Sequence, residues 1–303
     1  MNILLLHTHD SGRFIQPYGC GIPTPHLMDL ARDGTLFRHA FCAGPTCSPS
    51  RAALMTGMAP HTCGMLGLAH RGFQLDDGST HLVSYLNDRG FETVLCGIQH
   101  EAPQEGRIGY RRILRDRNGV RHPGAPEKWA EWDVGNARRV ADFLRTPADR
   151  PFFLSFGMVN THRPFPPIDS AIDPAYVLPP FPIPDNEGNR KDMAGFLSSM
   201  RVVDRCVGLV LEALRETGRA RDTLVLFTTD HGIAFPGMKC TLHDTGIGVS
   251  LLLRLPGGGN AVRSVDALVS HLDIFPTICD LLGFEPPPWL QGHSLLPLLE
   301  GKT

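Results

Sequence analysis

The sequence has no Cys-x-x-Cys pair, no internal repeat, no long unbroken apolar run and almost no net charge, and each absence removes a class of protein. Its eight cysteines, Cys20, Cys42, Cys47, Cys63, Cys96, Cys206, Cys240 and Cys279, are scattered, several of them inside apolar stretches where a reduced thiol behaves as a small hydrophobe. A disulfide framework is not expected, although spacing alone leaves open a pairing of Cys20 with Cys63 or Cys240. The formal net charge of -2, with both signs mixed along the chain, provides no basic field for nucleic acid. The strand-like run Asn2 to Leu6 starts directly after Met1, without a basic leader or cleavage site, and is far too short to span a bilayer. The expectation is a cytoplasmic chain with neither a membrane nor a nucleic-acid partner.

With 303 residues, 42% of them hydrophobic and 20% charged, the chain can bury one large core or two unequal ones. Apolar runs of strand length recur at Asn2 to Leu6, Glu92 to Cys96, Phe152 to Phe156, Thr223 to Thr228 and Val249 to Leu253. Amphipathic stretches separate most of them. The longest, Lys191 to Thr217, repeats apolar residues at three- and four-residue steps and reads as a helix with a core stripe. A shorter helix opens with Thr24 and Pro25 and ends before Gly34, another covers Glu127 to Leu144, and a third begins after Phe275-Pro276 and stops near Gly283. This alternation predicts an α/β fold in one domain over residues 1–303: a mostly parallel central sheet with helices on both faces. The proline-rich stretch Pro164 to Asn189 reads as an ordered surface excursion.

Open α/β sheets bind ligands outside the carboxyl ends of their strands. Polar residues follow four of the predicted strands: His7 to Asp10, Gln99-His100, Asn160 to His162 and Asp230-His231. Between them lies Cys47-Ser48-Pro49-Ser50-Arg51-Ala52-Ala53-Leu54-Met55-Thr56-Gly57, a cysteine just ahead of a helix whose first turn contains Pro49. A helix N-terminus favours an anionic nucleophile and an anionic substrate, and Arg51 would aim a permanent charge at the same place. A lone Cys-x-Pro reads as a buried small residue and an ordinary helix start. The complete string is far more specific.

Position by position it resembles the motif of the sulfatase family in the alkaline phosphatase superfamily, in which Cys-x-Pro-x-Arg is read by a formylglycine-generating enzyme. The likeness, strongest to the sulfamidase branch and its bacterial relatives, runs from the first strand to Gly292-His293-Ser294-Leu295-Leu296-Pro297-Leu298-Leu299. It implies the alkaline-phosphatase-like fold and a sulfuric ester or sulfamate hydrolase whose nucleophile is a formylglycine made from Cys47. It also implies a divalent metal, calcium first. A family aspartate pair corresponds to His9-Asp10 and a second metal pair to Asp230-His231, with Cys47 completing the set. Two imidazoles would suit manganese or zinc better than calcium. His7 is a weaker alternative ligand.

The resemblance further implies that Arg51 and His100 orient residue 47, that His162 acts on the leaving group and that Lys239 binds sulfate. Histidine suits the leaving-group role because its ordinary pKa lies near neutrality. The chain departs from the family at Ile98, where a sulfate-binding lysine is usual. Expected partners are a sulfated small molecule or saccharide and the modifying enzyme. Sulfatases usually continue into a smaller antiparallel subdomain, which here is expected to be absent or truncated, with a homo-oligomer as one consequence. Two readings compete: a phosphodiesterase or phosphonate monoester hydrolase of the same superfamily, and a non-catalytic binder of sulfated ligands.

Overall fold

A computed structural model describes residues 1–115 and 125–302. Among these residues the strands are β1 (Asn2–Thr8), β2 (Thr35–Phe41), β3 (Glu92–Gly97), β4 (Arg112–Leu114), β5 (Phe152–Gly157), β6 (Thr223–Thr229), β7 (Gly248–Val249), β8 (Leu251–Arg254) and β9 (Ser264–Ser270). The helices are α1 (Pro25–Asp33), α2 (Cys47–Thr56), α3 (Pro60–Cys63), α4 (Leu82–Asp88), α5 (Trp129–Arg145), α6 (Glu187–Glu216), α7 (Asp244–Ile247), α8 (Ile274–Leu282) and α9 (Leu296–Leu299).

All nine strands form one sheet in the order β4-β3-β5-β1-β6-β8-β2-β7, with β9 also paired to β2. The pairings β4-β3-β5-β1-β6 and β2-β9 are parallel, whereas β8 runs antiparallel to β6 and β2, and β7 antiparallel to β2. Alternation along the central strands divides the core in two. Leu4, Leu6, Phe152, Leu154, Phe156, Val225 and Phe227 pack with α1, α5 and α6, while Ile3, Leu5, Phe153, Leu224 and Leu226 face α2, α4 and α8. Helices therefore cover both faces, as the run pattern predicts.

Several boundaries differ from the sequence reading. The expected strand Val249 to Leu253 is split at Ser250, whose N–H donates to the Gly12 carbonyl (2.9 Å) and whose own carbonyl accepts from the Thr228 hydroxyl (2.8 Å). Helix α6 opens four residues before Lys191, because the Asn186 side chain accepts from the Asn189 N–H at 3.0 Å and caps a polar first turn that carries no apolar stripe. Helix α8 starts at Ile274, which puts Pro276 inside its first turn, where a missing N–H costs nothing. Cys47 is the first residue of α2 rather than lying ahead of it. All eight cysteines are free, so neither suggested disulfide forms. No helix among the described residues is long and apolar enough to cross a membrane.

Register puts the polar strand ends at one edge of the sheet. His7 lies beside Gly157 of β5 and Thr228 of β6, and Gly97 of β3 lies beside Gly157. The two glycines are required there: a Cβ on Gly157 would meet the Ile98 carbonyl oxygen at 1.9 Å, and one on Gly97, which has a φ of +80°, would meet the Gly157 oxygen at 2.0 Å.

Candidate active site

Four strand exits and the first turn of α2 converge at that edge. Asp230, directly after β6, is fully buried; its Oδ1 accepts the backbone N–H groups of Asp10 (2.8 Å) and His231 (2.9 Å). Its Oδ2 accepts from Arg51 at 3.2 Å. Burial alone would raise its pKa, but His231, Arg51 and His9 outweigh that and hold it well below the usual carboxylate range. Asp10 has a φ of +46° and His100 one of +65°, left-handed conformations that cost energy and turn both side chains sharply out of their strands.

His9 is fully buried, and its Nδ1 lies 3.0 Å from Asp230 Oδ2, yet the angle leaves both ring nitrogens without a hydrogen bond. Burial, reinforced by Arg51 and opposed by Asp230, keeps the ring neutral. One ligand atom each from His9, Asp10, Cys47 and Asp230 lies within 4.8 Å of the others, and the same holds for His9, Cys47 and His100. His231 adjoins the first set without belonging to it. Its Nδ1 donates to the Gly232 carbonyl (3.0 Å), and its Nε2 lies 3.2 Å from Asp10 Oδ1 and 3.4 Å from Cys47 Sγ. Buried acceptors facing one another, beside an imidazole with no partner, make a donor set that a divalent cation would satisfy. An imidazole nitrogen beside the two carboxylates suits manganese or zinc at least as well as calcium.

Lys239 Nζ reaches both oxygens of Asp10 (3.0 and 2.8 Å) and lies 3.9 Å from Cys47 Sγ. Burial would lower its pKa, but Asp10 leads a group of negative neighbours that raise it to about 12. The Cys47 thiol moves the other way from the anionic state that a helix N-terminus was expected to favour: burial and then Asp230 push its pKa up, against Lys239 and Arg51. An unmodified Cys47 is thus a neutral thiol.

Arg51 also departs from expectation. It does not reach Cys47 but donates to Asp230, to the Thr8 carbonyl (2.9 Å) and to His7 Nδ1. His7 in turn gives its Nε2 proton to Ser155 Oγ (2.9 Å), so both ring nitrogens are engaged and it has no lone pair for a cation. His162 Nδ1 donates to the Arg163 carbonyl (2.6 Å), and its Nε2 faces the site 4.0 Å from Asp10 Oδ2. The His100 ring stacks at a tilt 4.8 Å from His9. Beside His100 a cavity of about 220 Å³ is lined by Ser48, His70, Gln99, Gln104 and Glu105 among others. Ile98 contributes to the lining of this cavity, although most of it is buried with Trp129 and Val159.

Compared with known proteins, the sequence matches the sulfatase family over residues 2–284. The chain belongs to the sulfatase family. It is 34% identical to human N-sulphoglucosamine sulphohydrolase across 99% of its own length and 66% of that protein's. It is 25% identical to a Delta 4,5-hexuronate-2-O-sulfatase of Bacteroides thetaiotaomicron across 96% of the chain and 69% of that relative. An ulvan-active sulfatase of Formosa agariphila is also 25% identical, and the chain spans only 55% of it. Solved structures share the fold: the phosphonate monoester hydrolase of Agrobacterium radiobacter (TM-score 0.79, 23% identity, 100% of this chain and 77% of that one) and a 2-O GAG sulfatase (TM-score 0.78, 24% identity, 100% and 74%).

Within the sulfatase frame, every residue singled out from the sequence lies at this one edge. Four supporting residues were not singled out: Ser50, whose hydroxyl donates to the Asp230 carbonyl; His271, 2.9 Å from the Thr228 hydroxyl; Glu101; and Asp133. Ser50 lay inside the motif string and could have been read from it. Glu101 directly follows His100 and was passed over, whereas Asp133 and His271 are distant in sequence from every motif and carried no signal of their own.

Proposed function

We propose that the protein hydrolyses a sulfate ester or sulfamate of a sulfated saccharide, with formylglycine at position 47 and a divalent cation. The observation that carries this reading is the placement of Cys47 at the first turn of α2, within reach of Lys239 and His231 and among His9, Asp10 and Asp230. Asp10, Asp230 and His9 would hold the cation with position 47, and His231 Nε2 would face it from the side. The cation supplies positive charge against the sulfate oxygens. As hydrated formylglycine, position 47 supplies two hydroxyls on one carbon: one attacks sulfur as the alcohol or amine departs, and deprotonation of the other reforms the aldehyde and expels sulfate without a further attack by water.

The remaining residues prepare that chemistry. Arg51 keeps Asp230 ionised and fixed; it orients the donor rather than the substrate. Lys239, positively charged and 3.9 Å from Cys47 Sγ, is placed to neutralise a sulfate oxygen. His162, half-exposed at the mouth, would donate a proton from Nε2 to the departing oxygen or nitrogen. His100 and the cavity beside it would receive the leaving group.

Mass spectrometry of the Cys47 peptide, after co-expression with a formylglycine-generating enzyme, should show the aldehyde. The same preparation should turn over N-sulfoglucosamine or a sugar O-sulfate, and Cys47→Ala should abolish turnover without unfolding the chain. A persistent thiol with turnover of phosphonate monoesters or phosphodiesters would replace this reading with phosphoryl chemistry. Tight binding of a sulfated sugar by the aldehyde form with no turnover would leave a binding protein.

A further inference from the structure

Asp133 is a carboxyl group that the chemistry above does not use. It lies on α5, a helix that sequence periodicity marks only as a cover for the sheet, and it is fully buried. Among the described residues it makes no ion pair. Its hydrogen bonds go instead to two consecutive residues: Oδ1 accepts the Val159 N–H (3.0 Å), and Oδ2 accepts the Asn160 N–H (2.9 Å) and side-chain amide (2.7 Å). From the opposite side the Ser199 hydroxyl of α6 donates to Asn160 Oδ1 at 2.6 Å. Two helices thus grip one asparagine at the exit of β5.

That exit carries two site histidines. The Thr161 hydroxyl donates to the His9 carbonyl (2.6 Å), as does the Thr161 N–H (3.3 Å), and the His9 N–H donates to the Asn160 carbonyl (3.4 Å). The His162 N–H donates to the Val159 carbonyl at 2.9 Å, and the His162 ring meets His9 edge-on at 5.4 Å. Trp129, one turn before Asp133 on the same face of α5, packs edge-on against His162 at 6.1 Å. Three N–H donors converging on one site need an acceptor with several lone pairs. An asparagine at 133 would keep one oxygen and turn an amino group toward donors.

We propose that Asp133 is a positioning residue for hydrolysis, a buried carboxyl clamp that acts through Asn160 and Thr161 to hold the backbone of His9 and through Val159 to aim His162. The inference rests on the reading of His9 as a cation donor and His162 as a proton donor. Partners of this outer kind, when mutated, cost about 10- to 100-fold in metal affinity or activity.

The test uses the aldehyde-bearing protein and its Asp133→Asn and Ser199→Ala variants, with manganese and calcium affinities from calorimetric titration alongside kcat and KM. Asp133→Asn should weaken cation binding and lower kcat, each by about tenfold or more, with KM changing less. In a His162→Ala background the same substitution should lower kcat by a smaller factor, because part of its effect passes through that ring. Ser199→Ala, a milder change, should move cation affinity and kcat in the same direction by a few-fold, and it decides the matter if Asp133→Asn fails to fold. A folded variant with wild-type affinity and kcat overturns the proposal, as does a full, independent loss of kcat in the His162→Ala background. A wild-type chain that binds a cation but turns over no sulfate would sink the functional reading and leave the clamp to be judged on affinity. One that binds no cation overturns both.

Discussion

Arg51 is the residue on which the buried charges of the site depend. Its guanidinium touches Asp230, the Thr8 carbonyl and His7 at once, in a place almost without solvent. Removing one partner of a buried ion pair leaves the other charge uncompensated, so Arg51→Ala should destabilise the fold by about 3–5 kcal/mol, read from urea denaturation. Lysine at this position should rescue little, since its three N–H donors radiate from one nitrogen and cannot span acceptors met by separate nitrogens of the planar guanidinium. Glu101 is the opposite case. It is fully buried with Oε2 unpartnered, and burial pushes its pKa up to about 8 despite the opposing charge of Arg51. Between the ordinary carboxyl range and about 8 the folded chain keeps a proton that the unfolded chain has lost, so this group's contribution to stability declines as pH rises through that window. Glu101→Gln cannot ionise. Thermal melts at about pH 5 and about pH 9 should show the variant gaining on wild type at the higher pH, and an equal difference at both would refute the burial of that carboxyl.

At the scale of elements, the strand exits matter more than the strands. Gly157 lies where β1, β3 and β5 come closest, and Gly157→Ala would press a methyl group into the Ile98 carbonyl. The β5 exit should then shift, costing roughly 3 kcal/mol and lowering kcat as well, because His162 follows from it. Asn186→Ala, which removes only the cap of α6, should cost about 1 kcal/mol and leave kcat alone. Comparing the two separates damage to the site from damage to the scaffold. Helix α2 is buried along its whole length although it contains Ser48, Ser50 and Arg51. Each of these has a partner outside the helix, Ser48 accepting from the Ala69 N–H at 3.0 Å, so its polarity is consumed by its neighbours. Strand β2 escaped the sequence reading because its register slips between Phe37 and His39, leaving Arg38 and His39 both exposed and breaking the alternation. Among the described residues strand β9 pairs with β2 alone, and Asp266 interrupts its apolar residues, so it presents no apolar run of strand length. Helix α4 is too short to establish a period.

For the molecule as a whole, the concentration of buried carboxylates and imidazoles at one sheet edge makes cation binding a stability term. A ligand that binds only the folded state stabilises it by about 2.7 kcal/mol at a hundred times its Kd. Manganese, calcium or zinc added to the metal-free protein should raise the melting temperature, with the preferred ion giving the largest shift at equal concentration. Lys239→Ala, which removes the ammonium from Asp10, should lower the melting temperature more in the presence of a chelator than in its absence. Equal losses in both conditions would mean that Lys239 and the cation do not share Asp10.

The sequence by itself determined the family, the α/β layering, the strands whose ends carry the site and the residues brought there. Those features are local: an eleven-residue string, apolar runs of strand length and polar residues directly after them. Tertiary structure alone decided what each residue touches. Parallel pairing sets residues more than 200 positions apart side by side, His7 against Thr228 for one, and this turned Arg51 toward Asp230 and His7, placed Lys239 on Asp10, buried Ile98 with Trp129 and put Asp133 behind Asn160. No spacing encodes those contacts, because each depends on the register between distant strands and on the burial that makes an unpartnered charge costly.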